Sequence, residues 1–148
     1  IGHELIENCF EEPQLFIGGI IGNGFELARR LCGIIEKNSS IKVTCFEIAI
    51  DKNEPWNNSV ELSIEQEKLK KGYIILVDDV INSGKTLQYA LVKFLEQPTK
   101  AIKTVVLVDR KHRRYPVKAN FVGLSLSTTL QDRVEVDFTK GNTKAFLV

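Results

Sequence analysis

Residues 73–87 join an apolar run, two adjacent acids, a short polar loop and an amphipathic segment in one uninterrupted stretch. The apolar run from Tyr73 to Val77 predicts a strand that is buried on both faces, as in a parallel sheet. Asp78 and Asp79 follow where that strand should end. Apolar residues then recur at helical spacing: Leu87, Ala90, Leu91, Phe94 and Leu95. The stretch therefore predicts a strand, an acidic pair, a loop and a helix, in that order.

The loop between the acids and the helix is a candidate phosphate site. It consists of Asn82, Ser83, Gly84, Lys85 and Thr86. A tight loop that enters a helix points several backbone N–H groups one way, and the helix dipole adds partial positive charge there. The two carboxylates beside it are suited to sugar hydroxyls or to water on a hard cation. A sugar phosphate would satisfy both halves of such a site.

Two other interpretations compete for the same stretch. The order Ser-Gly-Lys-Thr is similar to the end of a nucleoside-triphosphate loop, but that motif requires a glycine five positions before Gly84. Asp79 stands there instead, which excludes the triphosphate loop. The second alternative is a buried strand that ends in two solvated aspartates and precedes a capped helix without any ligand.

The stretch closely resembles the phosphoribosyl-diphosphate (PRPP) motif of type I phosphoribosyltransferases. That motif is an apolar strand, Asp-Asp, two variable residues and a Thr/Ser-Gly-x-Thr loop, and every defining position is filled here. The resemblance implies that Asp78 and Asp79 are catalytic residues that bind the ribose hydroxyls, and that residues 82–86 bind the 5′-phosphate. It also implies Mg²⁺ as a cofactor, for which the sequence identifies no ligands.

A glycine-rich turn between the first predicted strand and the first long helix is a second candidate phosphate loop. A dinucleotide fingerprint would need a third glycine where Leu27 stands, yet Glu47 near the end of the next strand keeps that fold as an alternative. In the phosphoribosyltransferase interpretation, Gly22, Asn23 and Gly24 hold pyrophosphate.

This turn departs from the pattern of relatives that act on uracil. They tend to carry Lys-Thr-Arg-Gly where this chain has Ile21-Gly22-Asn23-Gly24, so both cations are missing. Charge-assisted hydrogen bonds are about twice as strong as neutral ones. The turn could still bind pyrophosphate through backbone N–H groups. A non-catalytic protein that senses PRPP or a nucleotide is therefore an alternative function.

Residues 51–71 form a long irregular segment, which is typical of a mobile lid. The family has a flexible loop here that closes over the active site. Lys52 is the lid cation, the one cation near the place where uracil-type relatives begin this loop with Tyr-Arg-Asp-Asp. Trp56 is either a lid aromatic or an anchor for the loop. Val60, Leu62 and Ile64 alternate and predict a short arm of a hairpin.

A second segment, residues 108–123, resembles the pyrimidine operon attenuation proteins, which are bifunctional uracil phosphoribosyltransferases that also bind RNA. It reads Val-Asp-Arg-Lys-His-Arg-Arg-Tyr-Pro, followed by Ala-Asn-Phe-Val-Gly. The resemblance implies a base-side segment over about 109–138, with Asp109, Arg110 and Val122 as candidate base-side residues. It makes the basic residues 110–114 a candidate RNA site, or else a solvated turn. His112 is either a general base or structural.

Alternating buried strands and amphipathic helices predict a single α/β domain over residues 1–148, with a mainly parallel sheet flanked by helices. The helix after the first strand should bury Leu27, Ala28, Leu31, Cys32, Ile34 and Ile35. A turn at Gly141-Asn142 predicts a C-terminal β-hairpin. The ligand site should lie at the carboxyl ends of the strands.

The predicted function is transfer of phosphoribose from PRPP to a nucleobase, with uracil or another pyrimidine expected. A net charge of +1 argues for no global attraction to membranes or nucleic acid, and no apolar run is long enough to span a membrane. Cys9, Cys32 and Cys45 are expected to be reduced core thiols of a cytoplasmic protein. We expect a homo-oligomer, a dimer or larger. With no methionine and Ile1 first, the sequence as written should lack an N-terminal piece or its methionines.

Overall fold

A computed structural model of the chain describes residues 1–127, 129, 131–139 and 144–147. Helices and strands alternate along most of it, as the sequence predicts. The helices are α1 (Gly2–Cys9), α2 (Asn23–Asn38) and α3 (Lys85–Phe94), and a short 3₁₀ turn spans Gln66–Leu69. The strands are β1 (Gln14–Ile20), β2 (Lys42–Ala49), β3 (Glu61–Leu62), β4 (Tyr73–Ile81), β5 (Ala101–Asp109), β6 (Phe121–Ser125), β7 (Val134–Asp137) and β8 (Lys144–Leu147).

A six-stranded sheet with the order β3-β2-β1-β4-β5-β6 forms the body of the protein. Its neighbours are parallel except for β3, which runs antiparallel to β2. The predicted α/β fold with a mainly parallel sheet is confirmed. β4 continues through Asp78 and Asp79 to Ile81, so the strand does not end at the acids as predicted. Because β4 lies between β1 and β5, the acidic pair near its carboxyl end stands near the middle of the carboxyl edge, where parallel α/β folds bind ligands.

Side chains of β4 alternate between two hydrophobic cores, one on each face of the sheet. Ile75 and Val77 pack on the face that α1 and α2 cover. Ile74 and Leu76 pack on the opposite face, which α3 covers. All four are fully buried. An apolar run without polar alternation follows from this arrangement, because both faces of the strand are covered.

The face of α2 is buried largely as predicted, with one exception. Leu27, Ala28, Leu31, Cys32 and Ile35 are buried, whereas Ile34 is 38% exposed. The expectation for Ile34 was wrong because this residue faces α1 rather than the sheet, and α1 covers it only in part. A Cβ atom on Gly2 of α1 would stand 2.7 Å from Cγ2 of Ile34.

The predicted lid and the C-terminal hairpin each contain strands. Ile48 of β2 pairs with Leu62 of β3, so the predicted arm is an antiparallel extension of the sheet. Leu69 is buried and anchors the far end of the lid segment. The predicted C-terminal hairpin is confirmed as the antiparallel pair β7–β8. Its turn, predicted at Gly141-Asn142, lies outside the described residues. In the described part of the chain, no helix has the length and hydropathy of a membrane span.

Candidate active site

The carboxyl end of β4 opens into a cavity of about 340 Å³. Both predicted acids and the whole predicted phosphate loop line it, together with one lid residue and one hairpin residue. The lining residues are Lys52, Asp78, Asp79, Val80, Ile81, Asn82, Ser83, Gly84, Lys85, Thr86, Leu87 and Val134. The stretch that carried the sequence prediction therefore folds into a single concave site.

Asp78 lies deep in the wall of this cavity and is 4% exposed. Its Oδ1 accepts the backbone N–H of Asp79 at 2.8 Å and lies 3.7 Å from the ammonium nitrogen of Lys52. Burial raises the pKa of the Asp78 carboxyl to about 8, although the charge of Lys52 acts in the opposite direction. This carboxyl therefore holds a proton in much of the free protein at neutral pH.

Asp79 is half-buried and stands beside Asp78 at the rim. Its Oδ1 accepts the backbone N–H of Val80 at 2.8 Å. In each acid, a bond from the following residue's N–H fixes the rotation of the carboxyl group. The two carboxyls are consequently held at the edge of the cavity by the backbone of β4 itself.

The phosphate loop takes the shape that an anion site requires. Gly84 has φ +87°, a left-handed conformation, and caps the N-terminus of α3. Ser83 Oγ accepts the N–H of Lys85 at 3.2 Å. The next N–H groups, at Thr86 and Leu87, lie in the first helical turn, where no intrahelical acceptor exists. The helix start therefore presents donors to the cavity.

A turn after β5 holds the phosphate loop from behind. The carbonyl of Ser83 accepts the N–H groups of Arg114 and Tyr115, at 2.8 and 3.0 Å. Arg113 donates from Nη1 to the Asn82 carbonyl at 2.9 Å. A Cβ atom on Gly84 would stand only 2.4 Å from Cγ1 of Val117 in the same turn. The loop and the turn are thus complementary in shape.

The base-side candidates belong to this supporting turn and its neighbours. Asp109 pairs with Arg113 at 3.0 Å and accepts the N–H of Lys111 at 2.8 Å. Val122 is half-buried in β6 and packs on the core beneath α3. Asp109, Arg110, Val122 and His112 are all described, and none of them lines the cavity. Their contact with a base stays a prediction.

Arg110 is buried and links two segments of the site. Its Nη1 donates to Asn82 Oδ1 at 2.9 Å, in the phosphate loop. Its Nη2 donates to the carbonyls of Thr129 and Asp132, at 3.0 and 2.5 Å, in the segment that leads into β7. The guanidinium thereby joins the phosphate loop to the predicted base-side segment.

The glycine-rich turn before α2 approaches the same acids from the other side. A Cβ atom on Gly24 would stand 3.1 Å from Asp78 Oδ1 and from the Val77 carbonyl, so only glycine fits there without displacing a neighbour. Gly22 has φ +92° and caps α2. Asn23 donates from Nδ2 to the Val136 carbonyl at 2.8 Å. Its side chain therefore binds the hairpin, while the exposed Ile21 adds no charge.

The hairpin β7–β8 is docked on α2 and supplies a wall residue that the sequence interpretation missed. Arg30 donates to the Phe138 carbonyl at 3.0 Å, and its guanidinium carbon lies 4.7 Å from the centroid of the Phe138 ring. Docking brings Val134 to the cavity. The alternation of apolar and polar residues in β7 indicates that Val134 faces inward. It does not indicate that Val134 lines this cavity.

The first part of the lid lies over the phosphate loop. Lys85 donates from Nζ to the Asn53 carbonyl at 3.1 Å and stands 5.7 Å from the Trp56 ring centroid. The Trp56 ring lies 6.2 Å from that of Tyr89 on α3. Trp56 is 59% exposed and contacts α3 through this ring pair, which favours the anchor over an aromatic that enters the cavity. Lys52 and Lys85 are the cations among the described lining residues.

The family model for the phosphoribosyl transferase domain matches residues 2–139 of the chain. The chain belongs to the phosphoribosyltransferase family. The chain is 32% identical over 147 residues to the bifunctional protein PyrR of Herpetosiphon aurantiacus and 33% identical to that of Brevibacillus brevis. Each match covers 95% of this chain and 82% of the relative. The predicted resemblance to the pyrimidine operon attenuation group is confirmed, and the dinucleotide alternative is set aside.

Solved phosphoribosyltransferase structures have the same fold. A hypoxanthine-guanine phosphoribosyltransferase from Bacillus anthracis superposes with a TM-score of 0.68 at 23% identity, over 84% of this chain and 71% of that one. The hypoxanthine phosphoribosyltransferase of Trypanosoma cruzi gives 0.68 at 18% identity, over 84% and 72%. At these identities the likeness concerns the fold alone.

Proposed function

We propose that this phosphoribosyltransferase moves phosphoribose from PRPP to uracil or another pyrimidine, with release of pyrophosphate. The observation that carries the proposal is the composition of one cavity. Asp78 and Asp79 line one part of it, and the start of α3 with residues 82–86 lines another. The similarity to the bifunctional PyrR proteins supports a pyrimidine as acceptor.

In this proposal the acids and the loop bind opposite ends of one sugar phosphate. The carboxylates of Asp78 and Asp79 accept hydrogen bonds from the ribose hydroxyls. The 5′-phosphate receives the N–H groups at the start of α3, the hydroxyls of Ser83 and Thr86, and the charge of Lys85. As pyrophosphate leaves, positive charge develops on carbon one of the ribose, and the fixed carboxylates stabilise it. Gly22, Asn23 and Gly24 would accommodate pyrophosphate next to Asp78.

The residues around the cavity fit a magnesium ion that arrives with its substrate. Among the described residues, no group of three His, Cys, Asp or Glu side chains is arranged to hold a metal. Mg²⁺ is commonly bound by one or two carboxylates together with substrate phosphates, rather than by an all-protein cage. Asp78 and Asp79 are such a pair. Bound there, Mg²⁺ would offset the charge of the pyrophosphate leaving group.

For the base we propose the space between the phosphate loop and the hairpin. Val134 lines the cavity from β7, and Arg110 holds the segment before β7 against Asn82. Asp109, Arg110 and Val122 then shape the base side from behind. The apolar side chain of Val134 offers one face of this space to a pyrimidine ring.

The test is a product assay with Mg²⁺–PRPP and a panel of free bases: uracil, cytosine, orotate, hypoxanthine and guanine. We expect nucleotide and pyrophosphate with a pyrimidine, and no product from the Asp79→Asn variant. Calorimetry with Mg²⁺–PRPP on the same folded sample completes the design. Absence of both binding and product would end the proposal.

The alternative is a protein that senses PRPP or a nucleotide without turnover. The turn at residues 21–24 supports it, since that turn has no cation and the Asn23 amide is engaged by Val136. Binding of Mg²⁺–PRPP without product from any base would favour this function. Measurable conversion of uracil to its nucleotide would exclude it.

An RNA-binding regulator has weaker support from the basic residues after β5. Arg110 and Arg113 are bound within the fold, which leaves Lys111 and Arg114 as the exposed cations of residues 110–114. Binding through phosphate contacts must weaken steeply as salt increases. Affinity for a pyrimidine-leader RNA that is absent or insensitive to salt would dismiss this function.

We further propose one domain over residues 1–148 in a cytoplasmic homo-oligomer, a dimer or larger. The bonds of Asn23 and Arg30 to the hairpin support one domain. The three free cysteines support a reducing compartment. Large exposed apolar side chains support association: Val92, Leu95, Leu124, Phe146 and Leu147. Sedimentation equilibrium at several protein concentrations measures the oligomeric state, and a monomer at all of them would contradict it.

A further inference from the structure

Three aromatic rings form a ladder beside the cavity that the proposed chemistry does not use. Trp56 of the lid lies 6.2 Å from Tyr89 on α3, and Tyr89 lies 6.3 Å from Tyr115 in the turn after β5, edge to face. These distances are those of favourable aromatic pairs. The Trp56 side belongs to the lid, whereas the other two rings belong to the body of the protein. The ladder therefore joins the lid to the body outside the cavity.

A second set of contacts makes the lid turn behave as one unit. Asp51 Oδ1 accepts the N–H groups of Asn53 and Glu54, at 3.0 and 3.1 Å. The Asn57 amide donates to the Glu54 carboxylate at 2.6 Å. The segment 51–57 is thus linked internally by hydrogen bonds, two from backbone N–H groups to a side chain and one between side chains. Lys52 and Trp56 lie within this hydrogen-bonded turn, so a contact that holds Trp56 also restricts the backbone that carries Lys52.

Lys52 supplies positive charge on the side of the cavity where the glycine-rich turn has none. Its ammonium nitrogen lies 3.7 Å from Asp78 Oδ1. Gly24 lies against the same Asp78 oxygen, so Lys52 and the glycine-rich turn converge on one carboxyl. That turn has Ile21 and Asn23 in place of cations, and Lys85 belongs to the phosphate loop. The lid therefore brings the charge that the turn does not have.

We propose that Trp56 and Tyr89 form a latch that positions Lys52 over the pyrophosphate side of the cavity. Both are positioning residues, since neither lines the cavity. Lys85 completes the latch through the Asn53 carbonyl and the face of Trp56. The effect of the latch on turnover rests on the proposed function, whereas the latch itself is a property of the free chain.

The first measurement uses Trp56, which is the single tryptophan of the sequence. Labelling with 5-fluorotryptophan places a single ¹⁹F probe in the lid. The ¹⁹F signals of the closed and the open lid then give the ratio of the two states. Tyr89→Ala should lower the ratio of closed to open lid about twofold to tenfold, the range that one aromatic pair contributes. Tyr89→Phe keeps the ring and should retain the ratio. Val92→Ala, an exposed change on the same helix, is the matched control.

The second measurement is kinetic. In Tyr89→Ala the KM for PRPP should rise about threefold to tenfold, following the loss of closed lid, while the KM for the base changes less. Tyr89→Phe should recover the wild-type KM. An unchanged lid ratio in Tyr89→Ala would overturn the latch. A shifted ratio with an unchanged KM for PRPP would overturn its role in positioning Lys52. A shifted ratio in a protein without any turnover would uphold the latch and end the proposed function instead.

Discussion

Lys52 and Asp78 form a close pair in the wall of the cavity, with the ammonium nitrogen 3.7 Å from Oδ1. The pair joins a solvent-facing lid residue to a carboxyl that is almost fully buried. A ligand that uses Asp78 as an acceptor must therefore alter both the lid and the protonation of that carboxyl. Lid position and proton binding can be measured separately, and both depend on Asp78 Oδ1.

Binding of Mg²⁺–PRPP should release protons at neutral pH. Burial raises the pKa of Asp78 to about 8, so the free protein holds this proton at pH 7, while an adjacent Mg²⁺ ion and hydrogen bonds from the ribose hydroxyls favour the carboxylate. Affinity should then increase up to about tenfold per pH unit below pH 8 and level off above it. Calorimetry in buffers of different ionisation enthalpy measures the protons released. An affinity independent of pH between 6 and 9 would contradict this.

The Asp78→Asn variant is the control for proton release on binding. It also tests whether the Asp78 carboxyl makes the fold more or less stable as pH rises. The folded-state pKa lies above the ordinary value, so the protonated carboxyl stabilises the fold at low pH, and this contribution is lost as pH rises through about 8. Asparagine cannot ionise. The variant should gain thermal stability relative to wild type between pH 6 and 9, and should lose both Mg²⁺–PRPP binding and its proton release.

Alanine at Gly84 should disrupt the phosphate loop. The residue has φ +87°, and the added Cβ would meet Cγ1 of Val117 at 2.4 Å. We expect a loss of about 1–3 kcal/mol in the free energy of unfolding, and at least about tenfold weaker Mg²⁺–PRPP binding. Urea denaturation and calorimetry measure the two effects.

Gly33→Ala is the matched change for Gly84. Gly33 lies on the exposed face of α2, and a Cβ there would meet no atom within 4 Å. Alanine at that helical position should stabilise the protein by about 0.5–1 kcal/mol and leave ligand binding unchanged. Equal behaviour of the two variants would argue against a special conformation at Gly84.

A lysine at position 21 should strengthen pyrophosphate binding. Ile21 is 43% exposed and precedes the turn that approaches Asp78, so the longer side chain fits without repacking. A partly solvated charge pair contributes up to about 1 kcal/mol, which corresponds to a KM for PRPP about twofold to fivefold lower. Steady-state kinetics of Ile21→Lys measure it, with Ile21→Gln as the neutral control. A gain shared by both variants would point to a cause other than charge.

Lysine in place of Arg110 should loosen the base side more than the phosphate side. The guanidinium donates to Asn82 Oδ1 and to two carbonyls before β7, and an ammonium cannot span these acceptors. Leaving a buried acceptor unpaired costs about 1–3 kcal/mol. We expect that loss in the free energy of unfolding, and a KM that rises more for the base than for PRPP.

The exposed Arg114 provides the comparison for Arg110. Arg114→Lys keeps the charge, and only its backbone N–H holds the phosphate loop. This variant should match wild type in stability and in both KM values. If Arg110→Lys raised both KM values equally, the expectation that Arg110 supports the base side more than the phosphate side would be wrong.

The features that could be predicted from the sequence are those that depend on residues close together in the chain. The stretch from Tyr73 to Leu87 is continuous, so its strand, acids, loop and helix start could be inferred without knowing any partner. The mainly parallel sheet followed from apolar runs such as β4, which have no polar face. The lid and the hairpin were recognised by their irregular and alternating patterns.

Contacts between distant segments could not be predicted. Asn23 binds Val136, Arg110 turns inward towards Asp132, and Lys85 reaches the lid. None of these follows from spacing, because each depends on how the hairpin and the lid dock. A cluster of basic residues looked like a surface, yet two of its arginines bind carbonyls inside the fold.

The Ser83 carbonyl accepts hydrogen bonds from the N–H groups of Arg114 and Tyr115, and these two bonds affect the entropy of ligand binding. They fix the loop in its anion-ready shape during folding, so little conformational entropy remains to be lost when a ligand arrives. Association at this loop should therefore resemble docking onto a rigid surface, with a small heat-capacity change and a rate limited by diffusion and by lid opening.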